Sequence, residues 1–153
     1  MVSSGRYVVD TSVLIERIIR NSPFKSLVED LFTRALNREV ELYVTLPTLS
    51  EVLYVASRIY SHGGIDDPNK EATSFILWIT SRARIITPTL DIALRAGELK
   101  KELGFSITDC YVIAAAERIG GKALFLKLDG EMRGRIESIR SLPVEFLSNG
   151  LSY

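Results

Sequence analysis

The chain has 153 residues, a length typical of one domain, and its 46% hydrophobic content excludes a disordered protein. Its 19 basic residues balance 19 acidic residues, so the net charge indicates neither a nucleic-acid nor a membrane partner. The single cysteine excludes an internal disulfide framework and is typical of a reducing compartment. No apolar run approaches the ~18 residues of a membrane span, and the first residues lack a signal-peptide pattern. We therefore expect a cytoplasmic protein with no membrane partner.

Five short apolar segments have the composition of buried strands. They cover residues 6–9, 40–44, 84–87, 122–128 and 144–148. Helical segments lie between them, and several carry recognisable start and stop signals. Helices are predicted directly after Asp10, from Ser22-Pro23 to about Asn37, within residues 45–58, from Asp67-Pro68 to about Ser81, from Pro88-Thr89 to about Gly104, and from about Ile107 to Gly120-Gly121.

Short apolar strands that alternate with helices are typical of an α/β fold with a parallel sheet covered on both faces. In such sheets, sites form at the carboxyl ends of the strands, near the point where the strand order reverses. Four acidic residues lie just past a strand or early in the helix that follows it: Asp10, Glu51, Asp109 and Asp129. We therefore expect their carboxylates to meet at one edge of the sheet.

Each acid also has a purely structural interpretation, because acidic side chains favour helix N-termini. Asp10 can cap the helix that begins at Thr11, and Asp129 can start a turn with Gly130. Two pairs have the spacing of a capping box: Thr48 with Glu51, and Ser106 with Asp109. Taken one by one, the four acids favour capping; taken together, they favour a shared site.

Carboxylates that converge in a small space repel one another unless protons or a divalent cation neutralise them. Carboxylate oxygens are hard ligands, so Mg²⁺ or Mn²⁺ fits such a site better than zinc. A metal held in this way suits phosphodiester hydrolysis, in which the ion activates water and stabilises charge on the phosphate.

The sequence resembles the PIN domain family, and within it the VapC-like ribonuclease toxins of prokaryotic toxin–antitoxin pairs. The segment "VVDTSVLIE" resembles the family's opening strand and Asp-x-Ser signature, and "LPTLSEVLY" resembles its glutamate-bearing helix. The segment "GFSITDCYVIAAAERIGGKALFLKLDGEM" resembles its longest signature, an aspartate before an alanine-rich helix and then a strand followed by an acid. The resemblance covers essentially the whole chain.

The resemblance implies that residues 1–153 form a single PIN domain, a three-layer α/β/α sandwich around a mostly parallel five-stranded sheet. It also implies an Mg²⁺- or Mn²⁺-dependent endoribonuclease with an RNA substrate, which forms a homodimer and is inhibited by a small antitoxin protein. By this resemblance the catalytic, metal-binding acids are Asp10, Glu51 and Asp109, with Asp129 as a more variable fourth. Ser12 matches the hydroxyl that supports the first aspartate, and Thr108 has a similar supporting role.

Two basic residues are candidates for substrate binding. Lys127 stands where the family usually has a small hydroxyl residue, two positions before the fourth acid. A lysine at this position can bind a substrate phosphate, or it can occupy the metal's space and weaken the site. Arg17, near the first helix, is a candidate for an RNA path, with a scattered positive surface as the alternative.

Other functions remain to be compared with a nuclease. An aspartyl phosphotransferase needs a second aspartate two positions after the first, where this chain has Ser12. A phosphorylation-driven receiver module needs a phosphate-accepting aspartate after a middle strand, and Glu51 lies within a predicted helix. A PIN domain that binds RNA or a partner without cutting is favoured only by Lys127. A housekeeping RNA-processing nuclease has the same site residues as a toxin.

Overall fold

The computed structural model describes residues 2–148. Its centre is a five-stranded sheet in the order β3-β2-β1-β4-β5, in which every neighbouring pair is parallel. The strands are β1 (Gly5–Val9), β2 (Val40–Thr45), β3 (Arg84–Ile86), β4 (Lys122–Phe125) and β5 (Val144–Phe146). The predicted five-stranded, mostly parallel sheet is confirmed. The strand order reverses at β1, between β2 on one side and β4 on the other.

Eight α-helices connect or follow these strands within residues 2–148. They are α1 (Thr11–Leu14), α2 (Lys25–Leu36), α3 (Leu46–His62), α4 (Pro68–Thr80), α5 (Leu90–Leu103), α6 (Ile107–Ile119), α7 (Gly130–Arg133) and α8 (Ile136–Arg140). A single turn of 3-10 helix at Ile15–Arg17 continues α1. None of the helices in this part of the chain is both long enough and apolar enough to cross a membrane.

Both faces of the sheet are buried, as the alternation of side chains along β1 shows. Tyr7 and Val9 point into one hydrophobic cluster, which α1 to α4 complete, whereas Val8 points into a second cluster, which α5 to α8 complete. The predicted three-layer α/β/α sandwich is therefore confirmed.

Most of the predicted helix ends are found in the structure. Asp67 caps α4 and accepts a hydrogen bond from the Lys70 N–H at 3.2 Å. Gly104 and Gly120 follow α5 and α6 in the left-handed conformation, with φ values of 76° and 66°. Glycine adopts this conformation without the Cβ clash that other residues meet, so both helices end where the sequence predicts.

Three predicted boundaries differ by two residues or more, and one is the end of the fifth strand, which lies at Phe146 and not at residue 148. The helix α2 begins at Lys25 and not at Ser22-Pro23. The Ser22 hydroxyl oxygen accepts a hydrogen bond from the Phe24 N–H at 3.0 Å. This local turn uses the serine before the helix begins.

The fourth strand ends at Phe125 and not at residue 128. The chain beside it has already turned from β1 into α1, so Leu126 has no strand partner on that side. Its N–H is instead bonded at 3.1 Å to the hydroxyl oxygen of Ser12.

Candidate active site

Asp10 lies at the reversal of the strand order, directly after β1. Its N–H donates to the Leu124 carbonyl of β4 at 3.0 Å, which holds it between the two strands. Its Oδ2 accepts a hydrogen bond from the Ser12 N–H at 2.9 Å and so caps α1. The side chain is only 4% exposed. The predicted capping role is confirmed, and it uses only one of the two carboxylate oxygens.

The other oxygen of Asp10 is unusual. Among residues 2–148, Asp10 Oδ1 is buried and has no hydrogen-bond partner. Burial raises the pKa of Asp10, hydrogen bonds from Ser12 oppose that rise, and the negative charge of Glu51 reinforces it. A buried charge costs free energy unless it is paired or coordinates a metal. Asp10 Oδ1 therefore has the surroundings of a cation ligand.

Glu51 reaches the same region from α3. The helix begins at Leu46, after Thr45, whose hydroxyl oxygen accepts a hydrogen bond from the Thr48 N–H at 3.2 Å. Thr48 therefore lies inside the first turn and Glu51 in the next, so the predicted Thr48–Glu51 capping box is wrong. The carboxylate of Glu51 is close enough to raise the pKa values of both Asp10 and Asp109.

Asp109 lies in the first turn of α6. Its N–H donates to the hydroxyl oxygen of the capping residue Ser106 at 3.2 Å. The pKa of Asp109 is raised to about 7, first by burial and then by the charge of Asp10. A hydrogen bond with Ser106 opposes this shift, whereas Glu51 and Asp129 increase it. Asp109 therefore lies within electrostatic range of all three other predicted acids.

Asp129 is the exposed member of the group. Its Oδ1 caps α7 by accepting a hydrogen bond from the Met132 N–H at 2.8 Å, and the chain turns there as predicted. The carboxylate of Asp129 lies near enough to contribute to the raised pKa of Asp109.

The four acids match the chemistry of a hard divalent cation. All the candidate ligand atoms are carboxylate oxygens, and one of them is buried without a partner. The pKa of Asp109 is raised first by burial and then by the negative charge of the other acids. In the part of the chain that the structure describes, no three Asp, Glu, His or Cys side chains are already arranged around a common metal position. Carboxylates that repel one another can draw closer when a cation balances their charge. The residue set therefore fits Mg²⁺ or Mn²⁺.

Hydroxyl residues surround the acids, and not all were predicted. Ser12 contacts Asp10 and Leu126, whereas no hydrogen bond joins the half-buried Thr108 to an acid within the described range. Ser106 accepts a hydrogen bond from the Asp109 N–H, and a side-chain hydrogen bond with Ser106 lowers the pKa of Asp109, as the predicted pairing of these two residues in a capping box requires. Thr11 was missed: its hydroxyl is buried without a partner, directly after Asp10. The sequence signal that could have identified Thr11 is a hydroxyl residue directly after an acid at the end of a strand.

The two basic candidates lie apart from the acids. The Lys127 ammonium lies 5.8 Å from the centre of the Phe24 ring. Within the described chain it forms no ion pair with any of the four acids. Arg17 stacks on Trp78 at 4.0 Å and pairs with Glu29 at 3.6 Å. The geometry therefore brings neither basic group into direct contact with the carboxylates.

Several solved structures are similar to this chain. The DNA-bound VapBC of Salmonella typhimurium has a TM-score of 0.64 at 17% identity, with 96% of this chain and 100% of that chain covered. Mycobacterium tuberculosis VapC20, a sarcin-ricin loop cleaving toxin, has a TM-score of 0.62 at 15% identity, covering 85% and 94%. A toxin–antitoxin complex from Klebsiella pneumoniae has a TM-score of 0.53 at 18% identity, covering 95% and 98%. At these identities the likeness shows a common fold.

Sequence comparison gives the family. No curated protein sequence matches the chain significantly. The sequence profile of the PIN domain matches residues 7–133, which include the candidate acids at positions 10, 51, 109 and 129 and most of the sandwich. The chain belongs to the PIN domain family.

Proposed function

We propose that the chain is an Mg²⁺- or Mn²⁺-dependent endoribonuclease that hydrolyses RNA phosphodiester bonds, and that it is the toxin of a VapBC-type toxin–antitoxin pair. The observation that carries the proposal is the environment of Asp109. Its pKa is raised to about 7 by burial and by three neighbouring carboxylates that belong to three other segments of the chain. Structural capping alone does not require four acids to share one electrostatic environment.

In this proposal Asp10, Glu51, Asp109 and Asp129 hold the ion. The ion supplies Lewis-acid activation of water and stabilises negative charge on the scissile phosphate. Asp10 presents its partnerless Oδ1 from a position fixed by the Ser12 N–H. Burial and neighbouring negative charge raise the pKa of Asp109 to about 7, and a cation bound beside it would favour its ionised form.

The proposal includes the partners implied by the family. Similar folds occur in the VapBC structure from Salmonella typhimurium and the toxin–antitoxin complex from Klebsiella pneumoniae, which supports a small antitoxin as the partner of this chain. Homodimer formation is supported by two exposed leucines four residues apart on α5: Leu90 is 76% exposed and Leu94 is 61% exposed. Light scattering of the purified chain measures its oligomeric state.

The proposal is tested by incubating the full chain with a mixed RNA pool in Mg²⁺, Mn²⁺ or a chelator. We expect cleavage that requires metal and is lost in Asp10→Asn and Asp109→Asn. Asp67→Asn is the matched control, because it changes an exposed acid to an amide that caps a helix equally well. A folded wild-type protein that cuts no RNA in either metal contradicts the nuclease proposal and favours a PIN domain that only binds RNA or a partner.

A second experiment separates a toxin from a housekeeping RNA-processing nuclease. Expression of the wild-type chain arrests growth if it is a toxin, and co-expression of a short DNA-binding protein encoded directly upstream restores growth. Asp109→Asn is the control for expression burden. Metal-dependent cleavage without growth arrest favours the housekeeping nuclease.

A further inference from the structure

A second charged site lies at the opposite end of the sheet from the acids. It is a cavity of about 400 Å³ lined by the end of α2 and the segment after it, the first half of β2, and the segment from after α4 to the first residue of β3. Four of its lining residues are charged: Arg38, Glu41, Arg82 and Arg84. The sequence indicated none of them, because they come from three separate segments of the chain.

The cavity has excess positive charge although the chain as a whole is neutral. Within residues 2–148, Arg38, Arg82 and Arg84 have no carboxylate within 4.0 Å. Glu41, the one acid of the lining, is already engaged by Arg6 at 3.3 Å and by the Tyr43 hydroxyl at 2.8 Å. Three arginines therefore line the cavity with one carboxylate, which already has other partners and lies within electrostatic range of Arg84.

Arg82 is held in position before any ligand binds. Its guanidinium lies 4.5 Å from the centre of the Trp78 ring. Its Nη1 donates to the Ser81 hydroxyl at 2.7 Å and to the Trp78 carbonyl at 3.4 Å. A guanidinium has five N–H donors, so the remaining ones are available to a ligand. A side chain fixed in this way loses little conformational entropy when it binds.

Arg38 has a left-handed backbone conformation, which normally favours glycine or asparagine. It follows α2 with φ at 61°, in the left-handed region where glycine or asparagine usually ends a helix. The other non-glycine residue with positive φ in the described chain is Asn21. The backbone conformation at position 38 therefore does not account for an arginine there. The side chain lines the cavity, where its positive charge can bind a ligand.

We propose that this cavity binds phosphate groups of the RNA backbone, at a distance from the bond that is cut. The inference rests on the proposed function, because the phosphates are those of its RNA substrate. Guanidinium groups match the geometry of phosphate oxygens and can bind them in a bidentate manner. β2 is six residues and roughly 20 Å long. The site therefore contacts RNA remote from the acids and positions it without reading its bases.

Trp78 provides a readout near the cavity, because it is the only tryptophan of the chain and Arg82 stacks on its ring. Arg17 stacks on the same ring, so the variants of Arg38 and Arg84 assign the change to the cavity. Its fluorescence is titrated in a chelator, so that no cleavage occurs, with a long single-stranded RNA, inorganic phosphate and polyglutamate as separate probes. We expect a saturable change with RNA that weakens as salt is added.

Two variants remove charge from the cavity. Arg38→Asn suits the left-handed backbone, so its melting temperature should be unchanged or higher while RNA affinity falls. Combined with Arg84→Gln, it should lower RNA affinity about tenfold or more and reduce the log–log salt slope by about 1–1.5. Lys101→Ala is the matched control, because Lys101 is an exposed cation on α5 that does not line the cavity.

The outcomes separate this inference from the proposed function. RNA binding by the double variant that equals wild type overturns the inference, even if the wild-type chain cleaves RNA. Saturation by polyglutamate but not by RNA also overturns it and indicates an acidic protein partner instead, and a response to inorganic phosphate alone overturns it as well. Absence of RNA cleavage in Mg²⁺ and Mn²⁺ contradicts the nuclease proposal and is measured separately, on wild-type protein.

Discussion

The hydroxyl oxygen of Ser12 accepts a hydrogen bond at 3.1 Å from the N–H of Leu126, a residue 114 positions further along the chain. This bond joins the turn after β1, where the strand order reverses, to the end of the neighbouring strand β4. The N–H of the same serine donates to Asp10 Oδ2 at 2.9 Å. Ser12 therefore links the position of the first acid to the segment that leads to Asp129.

Replacing Ser12 with alanine tests this link. Ser12→Ala leaves the Leu126 N–H without its acceptor, so we expect the free energy of unfolding to fall by about 1 kcal/mol. Ser12→Ala keeps the N–H that donates to Asp10 Oδ2, but it removes the hydroxyl that lowers the pKa of Asp10, so metal affinity should fall about 10-fold. Urea denaturation and Mg²⁺ titration measure the two effects. Ser12→Thr keeps the hydroxyl and serves as the control, and a stable Ser12→Ala protein with normal metal affinity would contradict the prediction.

The raised pKa values of Asp10 and Asp109 predict an unusual pH dependence for the metal-free protein. The pKa of Asp109 is about 7 in the folded chain, against about 4 for an unfolded aspartate. The folded state therefore binds the proton more tightly, and the stability it contributes is lost as pH rises through 7. We expect the melting temperature in a chelator to fall from pH 5 to pH 8 by roughly 2–4 °C, equivalent to about 1 kcal/mol after solvent screening.

Two controls accompany this measurement. Asp109→Asn removes the titrating group and should flatten the decrease, whereas Mg²⁺ added at pH 8 should restore the melting temperature, because the cation replaces the proton. A melting temperature that rises from pH 5 to pH 8 in wild-type protein without metal would show that the carboxylates do not share one environment.

Asp129 has a capping role and a proposed metal-binding role, which two substitutions separate. Asp129→Asn keeps an oxygen for the Met132 N–H, so the free energy of unfolding should change by less than about 0.5 kcal/mol. Asp129→Ala removes the cap and should cost about 1 kcal/mol. Both variants should lower RNA cleavage, and both by less than Asp109→Asn, because Asp129 is the exposed acid. Full activity in Asp129→Asn would restrict this residue to capping.

Lys127 lies over Phe24 and has no ion pair with the acids within residues 2–148, so it does not neutralise them directly. Lys127→Thr should therefore leave Mg²⁺ affinity within about twofold of wild type. If the ammonium binds a phosphate of the substrate, RNA affinity falls severalfold and becomes less dependent on salt. Lys127→Arg keeps the charge and is the control. A large gain in Mg²⁺ affinity in Lys127→Thr would show that the lysine occupies the metal's space.

The sequence by itself determined those features that depend on residues close together along the chain, such as the ends of the helices. Asp67 marks the start of α4, and Gly104 and Gly120 mark the ends of α5 and α6, because caps and left-handed glycines act within one helical turn. The alternation of apolar strands with helices was enough for an α/β sandwich, and therefore for the edge at which Asp10 and Asp109 come together.

Only the tertiary structure decided what depends on residues that are distant in sequence. The end of β4 is determined by Ser12, and the cavity at Arg38 is formed by three separate segments. The partnerless Oδ1 of Asp10 and the raised pKa of Asp109 arise from burial and from charges on other elements. A sequence pattern specifies local hydrogen bonds, whereas desolvation and electrostatic repulsion act through space and exist only once the chain has folded.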